Sequence, residues 1–193
     1  MPNDIRKPAH APVRSLIAVE PRFALSFCVV LLTGASALAS LVFACATPFA
    51  AYAVVAGAML PLPPALAVVA ATWLVNQAIG FGVLGYPHDP NALYWGLAIG
   101  TAALLATAAS KPVLRSLTRF GAAAALGSAL ICAYAVYELA LLAFTPALGG
   151  TGGFALSIVG RLFVLNALWL IALFAVCAVI RLIAGVRRRP ALS

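Results

Sequence analysis

The stretch Lys111-Pro112-Val113-Leu114-Arg115-Ser116-Leu117-Thr118-Arg119 breaks a chain that is otherwise almost free of charge. It lies between long apolar runs, so the side of the membrane it occupies decides how the rest is threaded. Short connections rich in Lys and Arg stay on the cytoplasmic side of a bilayer. Two further basic clusters obey the same rule: Arg6, Lys7, Arg14 and Arg22 before the first apolar run, and Arg181, Arg187, Arg188 and Arg189 at the end. Of the 12 basic residues, only Arg161 falls outside these three groups. All three share a side if the chain crosses four times before Lys111 and twice after Arg119. The expected fold is an all-α membrane protein, a six-transmembrane-helix bundle with both termini cytoplasmic.

Composition supports that class. The chain is 65% hydrophobic and 8% charged over 193 residues. A spanning helix needs about 20 apolar residues, and several runs supply them. The formal charge of +8 does not indicate nucleic-acid binding, because the basic residues flank apolar spans and form no solvated stripe. Cys28, Cys45, Cys132 and Cys177 are scattered singly through apolar segments, with no CxxC, and read as small buried hydrophobes.

The spans are expected at about Phe23–Ala46, Phe49–Leu60, Ala65–Tyr86, Ala92–Ser110, Phe120–Phe144 and Ala155–Leu182. Residues 1–22, basic and broken by proline, read as a disordered cytoplasmic tail, residues 23–186 as the membrane domain and 187–193 as a basic tail. A signal peptide is the competing reading of the N-terminus, but apolar sequence continues past any signal core. The second span is short for a crossing and a re-entrant segment competes with it; the charge pattern favours a crossing. Small residues recur at four-residue spacing, as in Ala35/Ala39, Ser36/Ser40, Ala102/Ala106 and Ala123/Gly127. Such faces let helices pack closely in lipid, either inside the bundle or against another membrane subunit.

The threading places nearly every polar residue that does not set topology in the outer half. Asn76 and Gln77 fall in the third span, His88 and Asp89 at its outer mouth, Tyr134, Tyr137 and Glu138 in the outer half of the fifth, and Arg161 and Asn166 in the sixth. Polar groups inside a membrane need a partner or a water-filled cavity. Glu138 with Arg161 reads either as an ion pair joining the last two spans or as part of a cavity lining. Asn76–Gln77 reads either as interhelical glue or as ligand contacts, and His88 either as a loop residue paired with Asp89 or as a ligand. Tyr94, Trp95 and Trp169 fit an interfacial belt. Collected on one side, these groups point to an outward-facing binding pocket. The sequence has no GxxxxGK[ST], no HExxH and no nucleophile–base set, so enzymatic function is not expected.

Two segments, CATPFAAYAVVAGAMLPLPPAL (45–66) and WLVNQAIGFGVLGYPHDPNALYWG (73–96), together with the size and expected layout, resemble the substrate-binding S components of energy-coupling factor transporters. The NQxxGF…YP pattern is most similar to BtuM-type proteins, associated with cobalamin (vitamin B12). That resemblance implies a bacterial inner-membrane protein that takes a vitamin from the periplasmic side into a loop-capped cavity. It also implies a transmembrane coupling subunit with ATPases as possible partners, docking on an alanine-rich face of the first helix such as GASALASLVFA. BtuM-type proteins are associated with a cysteine as axial cobalt ligand. Here His88 stands at the outer mouth where such a ligand would sit, and Cys45 is a second candidate; imidazole and thiolate both suit cobalt. The expected function is import of a vitamin-like solute, with cobalamin as transported ligand and Asn76, Gln77, His88, Asp89, Tyr134, Tyr137, Glu138, Arg161 and Asn166 lining the site. The alternative is a structural or assembly subunit of a larger membrane complex.

Overall fold

The structure, a computed structural model, describes residues 21–43 and 46–187. Cys45, the first 20 residues and residues 188–193 lie outside the described residues, so the cobalt-ligand reading of Cys45 and the two tail assignments are not addressed. The described residues form six helices and no strand: α1 (Pro21–Phe43), α2 (Phe49–Met59), α3 (Leu62–Gly82), α4 (Pro90–Leu117), α5 (Ala122–Leu148) and α6 (Leu156–Arg187). Short 3-10 turns at Thr118–Phe120 and Thr151–Phe154 join α4 to α5 and α5 to α6. Five of the six are long and apolar enough to cross a membrane, which makes this a multi-pass membrane protein. At 1.5 Å per residue the five long helices run to about 32–48 Å, against about 16 Å for α2 and a hydrocarbon core of about 30 Å.

Helix α2 is the axis of the bundle. All eleven of its residues are buried, and it touches α3, α4, α5 and α6. Phe49-Ala-Ala-Tyr-Ala-Val-Val-Ala-Gly-Ala-Met59 has no polar face, and a helix apolar all round belongs in an interior. Its small residues permit close approach. A Cβ on Gly57 would come within 2.8 Å of the Ser110 hydroxyl on α4. Pro61 and the Leu62-Pro63-Pro64 start of α3 end the helix and begin the next, since proline is tolerated in a first turn, where amides have no helical partner.

Two helices run through a proline past their expected ends, and α6 continues to Arg187 rather than stopping at Leu182. The sequence reading stops the fourth span at Lys111-Pro112, yet α4 continues to Leu117 with Pro112 inside it. The fifth runs through Pro146 to Leu148 rather than ending at Phe144. Proline costs a helix one hydrogen bond and a clash, and in α5 the freed Leu142 carbonyl accepts from the Thr145 hydroxyl at 2.8 Å. Lys111 is therefore a helical residue and not part of a loop. Its ammonium donates to the Gly57 and Leu60 carbonyls, closing the C-terminal end of α2, where unpaired carbonyls and the helix dipole both favour a cation.

Small residues knit the remaining contacts. Ser36, Ala39 and Ser40 of α1 are buried, and the Ser36 hydroxyl donates to the Thr72 carbonyl of α3 at 3.2 Å. The GASALAS face thus packs inside the bundle against α3. Ala102, Ala103 and Ala106 of α4 and Ala125, Ala129 and Ala133 of α5 are fully buried, while Ala123 and Gly127 face outward. Replacing Lys111 with Met, which keeps the stem and removes the charge, leaves two carbonyls at the end of α2 without their donor. We expect a loss of about 1–3 kcal/mol, read as a lower thermal midpoint of the detergent-solubilised protein by tryptophan fluorescence. An unchanged midpoint would show that the ammonium contributes nothing to holding α2.

Candidate functional site

Because α2 is short, the interior at the end of the bundle away from Lys111 is not filled by helix. A cavity of about 220 Å³ lies there. Its lining comes from the α1–α2 connection (Ala46, Thr47), α4 (Trp95, Ile99), α5 (Tyr137, Glu138, Leu141), the segment joining α5 to α6 (Gly150, Gly153, Phe154) and α6 (Leu162, Asn166). Trp95 of α4 and Glu138 of α5 thus border the same space.

The roof is a glycine turn. Gly149 and Gly150 have φ of 80° and 83°, left-handed values that residues with a Cβ adopt at a cost. The Trp95 ring lies 3.3 Å from where a Cβ on Gly150 would stand, so roof and wall are in contact.

The floor is the break between α1 and α2. Irregular backbone at membrane depth survives only when protein groups satisfy it. The Ala46 amide bonds the Phe43 carbonyl at 3.1 Å and the Phe49 amide the Thr47 carbonyl at 2.9 Å. The Ala51 amide, in the first turn of α2, donates to Asn166 Oδ1 of α6 at 3.1 Å, a cap supplied from another helix. Asn166 Nδ2 in turn donates to the Leu162 carbonyl at 2.9 Å. From α3, Asn76 Nδ2 donates to the Ser40 and Thr47 hydroxyls at 2.8 and 2.9 Å, and Asn76 Oδ1 accepts from Gln77 Nε2 at 2.9 Å.

The nine residues expected to line one site therefore divide. Tyr137, Glu138 and Asn166 line the cavity. Asn76 stands behind its floor with both amide hydrogens used inside the protein, and Gln77 is held on Asn76. Tyr134 sits a turn nearer the start of α5, its hydroxyl donating to the Val159 carbonyl at 2.7 Å. His88 and Asp89 are exposed on the turn between α3 and α4; His88 lies 5.6 Å from the Phe81 ring, and Asp89 caps α4 by accepting from the Ala92 amide at 2.8 Å. Neither lines the cavity. Arg161 opens onto a different feature, an apolar groove of about 690 Å³ with Phe43, Ile158, Val164, Leu165 and Leu168 in its wall. The expected clasp is not formed: among the described residues Glu138 makes no ion pair with Arg161, and the two line different features.

Several contributors were not singled out as site residues. Thr47 lies on the floor, and Trp95, read as belt, faces the cavity with Phe154 beside it. Trp169, also read as belt, packs edge-on against Tyr52 at 6.3 Å and Phe43 at 6.5 Å. Trp73 stacks over Gly100 and donates to the Gly96 carbonyl at 2.8 Å. The Tyr52 hydroxyl is buried with no partner among the described residues. No group of three His, Cys, Asp or Glu able to hold a metal ion occurs among the described residues. Comparison with known protein families, curated proteins and solved structures finds no match to this chain.

Three substitutions test this division. Asn166→Leu strips α2 of its cap and should cost about 1–3 kcal/mol, whereas Gln77→Leu should cost below about 1 kcal/mol. Tyr52→Phe removes a buried hydroxyl that gains nothing, and should leave the thermal midpoint unchanged or raise it. Equal losses for Asn166→Leu and Gln77→Leu would refute the assignment of Asn166 as the anchor of the break.

Proposed function

We propose that the chain is a membrane transporter subunit that binds a vitamin-like small molecule in the cavity below Gly149–Phe154 and imports it from the periplasmic side of a bacterial inner membrane. On this reading the Lys111 end is cytoplasmic and the cavity opens outward. The observation that carries it is the cavity itself, a polar-floored and aromatic-walled space at one end of a bundle whose other end is filled by α2. Binding sites commonly combine an apolar wall with a few placed polar groups, and here these are Glu138, Thr47 and Asn166. The charge clusters support the orientation, since Lys111, Arg115 and Arg119 lie together at the end opposite the cavity.

Cobalamin is the ligand that the resemblance to BtuM-type S components implies. A space of about 220 Å³ is below the roughly 300–1,000 Å³ of pockets for drug-sized ligands, and a corrin is larger than those ligands. Its binding would require the glycine turn to part from Trp95. His88, on the exposed turn, would then have to reach the cobalt from outside the present lining. A smaller solute fits the site as it stands.

The alternative, a structural or assembly subunit, draws on Ala123 and Gly127, which form an outward small-residue face on α5. Close helix contacts in lipid use such faces. A coupling subunit with ATPases would need a face of this kind as well, so it does not exclude transport.

The decisive test is bound solute. Protein purified from cells grown with a vitamin mixture, cobalamin included, is denatured and the released small molecules are identified by mass spectrometry. A bound corrinoid is read independently from its visible spectrum and from the change on His88→Ala. Gly153→Leu adds a side chain at a lining position where a Cβ meets no atom within 4 Å, so the fold is kept and solute retention should fall by about tenfold or more. Solute-free wild-type protein, or equal retention by the variant, would sink the transport reading.

A further inference from the structure

Among the described residues Glu138 is the only acidic residue within a helix; the other described acid, Asp89, caps α4 from outside it. Glu138 is partly buried and lines the cavity. Among the described residues no basic residue lines that cavity: Arg161 opens onto the separate groove, and Lys111 is engaged with the far end of α2. A carboxylate in the membrane interior is costly without a partner, and the neighbouring Tyr134 hydroxyl commits its hydrogen to the Val159 carbonyl. The same cavity is walled by Trp95, Tyr137 and Phe154, three aromatic side chains from three elements. Aromatic faces attract cations, more so when the cation is stripped of water. Asn166, which also lines the cavity, has a second amide hydrogen beyond the one bonded to Leu162, a donor type suited to an acceptor atom on the ligand.

The geometry points to a small organic cation, an amine or quaternary ammonium with an aromatic or apolar body, as the solute class of this cavity, with Glu138 as its counter-ion and Trp95, Tyr137 and Phe154 as its walls. The inference rests on the reading of the cavity as a solute site and adds its chemistry. An anionic solute would face the carboxylate with no compensating cation in the lining. A bare metal ion would find one carboxylate and aromatic walls where it needs several oxygen ligands. An organic cation meets both features and is within the available volume.

The test uses the full-length protein in lipid nanodiscs with two water-soluble probes of similar size, benzyltrimethylammonium and the neutral N,N-dimethylbenzamide. Binding is measured by equilibrium dialysis, and contact with Trp95 by tryptophan fluorescence. The cation should bind about tenfold or more tightly than the amide. Glu138→Gln keeps the shape of the side chain and should abolish that preference while leaving amide binding in place. Trp95→Leu should weaken the cation several-fold and remove the fluorescence response. Equal affinity for the two probes, a preference that survives in Glu138→Gln, or no cation binding at all would overturn the inference. If one of those outcomes occurs while the purified protein still retains a solute that Gly153→Leu loses, the cation assignment alone fails. If the wild type retains no solute either, the transport reading fails with it.

Discussion

A helix that stops inside a membrane leaves amides and carbonyls where no water can reach them, and this bundle is organised around satisfying them. Helix α2 covers about half the hydrocarbon thickness. Its first turn is capped by Asn166 from α6 and its last carbonyls by Lys111 from α4. The connection above it is held by Asn76 from α3 through Thr47. Three neighbouring helices each contribute one polar side chain, and these contacts fix the depth of α2 in the bundle.

The rest of the packing follows from that depth. Lipid tails are as apolar as leucine, so close contact and hydrogen bonds drive helix association more than the expulsion of water does. The chain accordingly spends small residues where α2 and its neighbours meet. Gly57 faces Ser110, buried alanines occupy both α4 and α5, and the serines of α1 lie against α3. Large apolar side chains such as Val30, Leu38, Leu139 and Ile171 point outward, as suits a surface solvated by lipid.

The cavity is the complement of the short helix. Where α2 ends, nothing helical fills the axis, and Trp95, Tyr137, Phe154 and the glycine turn enclose what remains. Its floor is fixed because the amides there are committed to backbone carbonyls and to Asn166 Oδ1. Its roof is built from residues with little side chain to bind it down. A fixed floor under a light roof suits the solute site proposed above, and in that proposal the carboxylate in the wall supplies the chemical preference.

Much of this was legible in the sequence. Apolar runs and basic clusters marked the membrane class and five long helices, and the length of residues 49–60 marked the odd segment among them. Tyr137, Glu138 and Asn166 were recognisable because polar groups at membrane depth need a reason. The sequence did not show which polar residues face a cavity and which face backbone. Asn76 and Asn166 are the same residue type at similar depth, yet Asn76 only supports the floor and Asn166 both caps α2 and lines the space. Lys111 carried a topogenic charge in the linear reading and proved to be a cap, since its partners lie more than fifty residues earlier. Glu138 and Arg161 looked paired because they are close in chain and depth, but their side chains open onto different features. Hydrophobic length and charge act locally and one-dimensionally, so the chain by itself determined membrane class and helix order. Partner choice for a buried polar group depends on azimuth around each helix axis, which the assembled bundle alone decided.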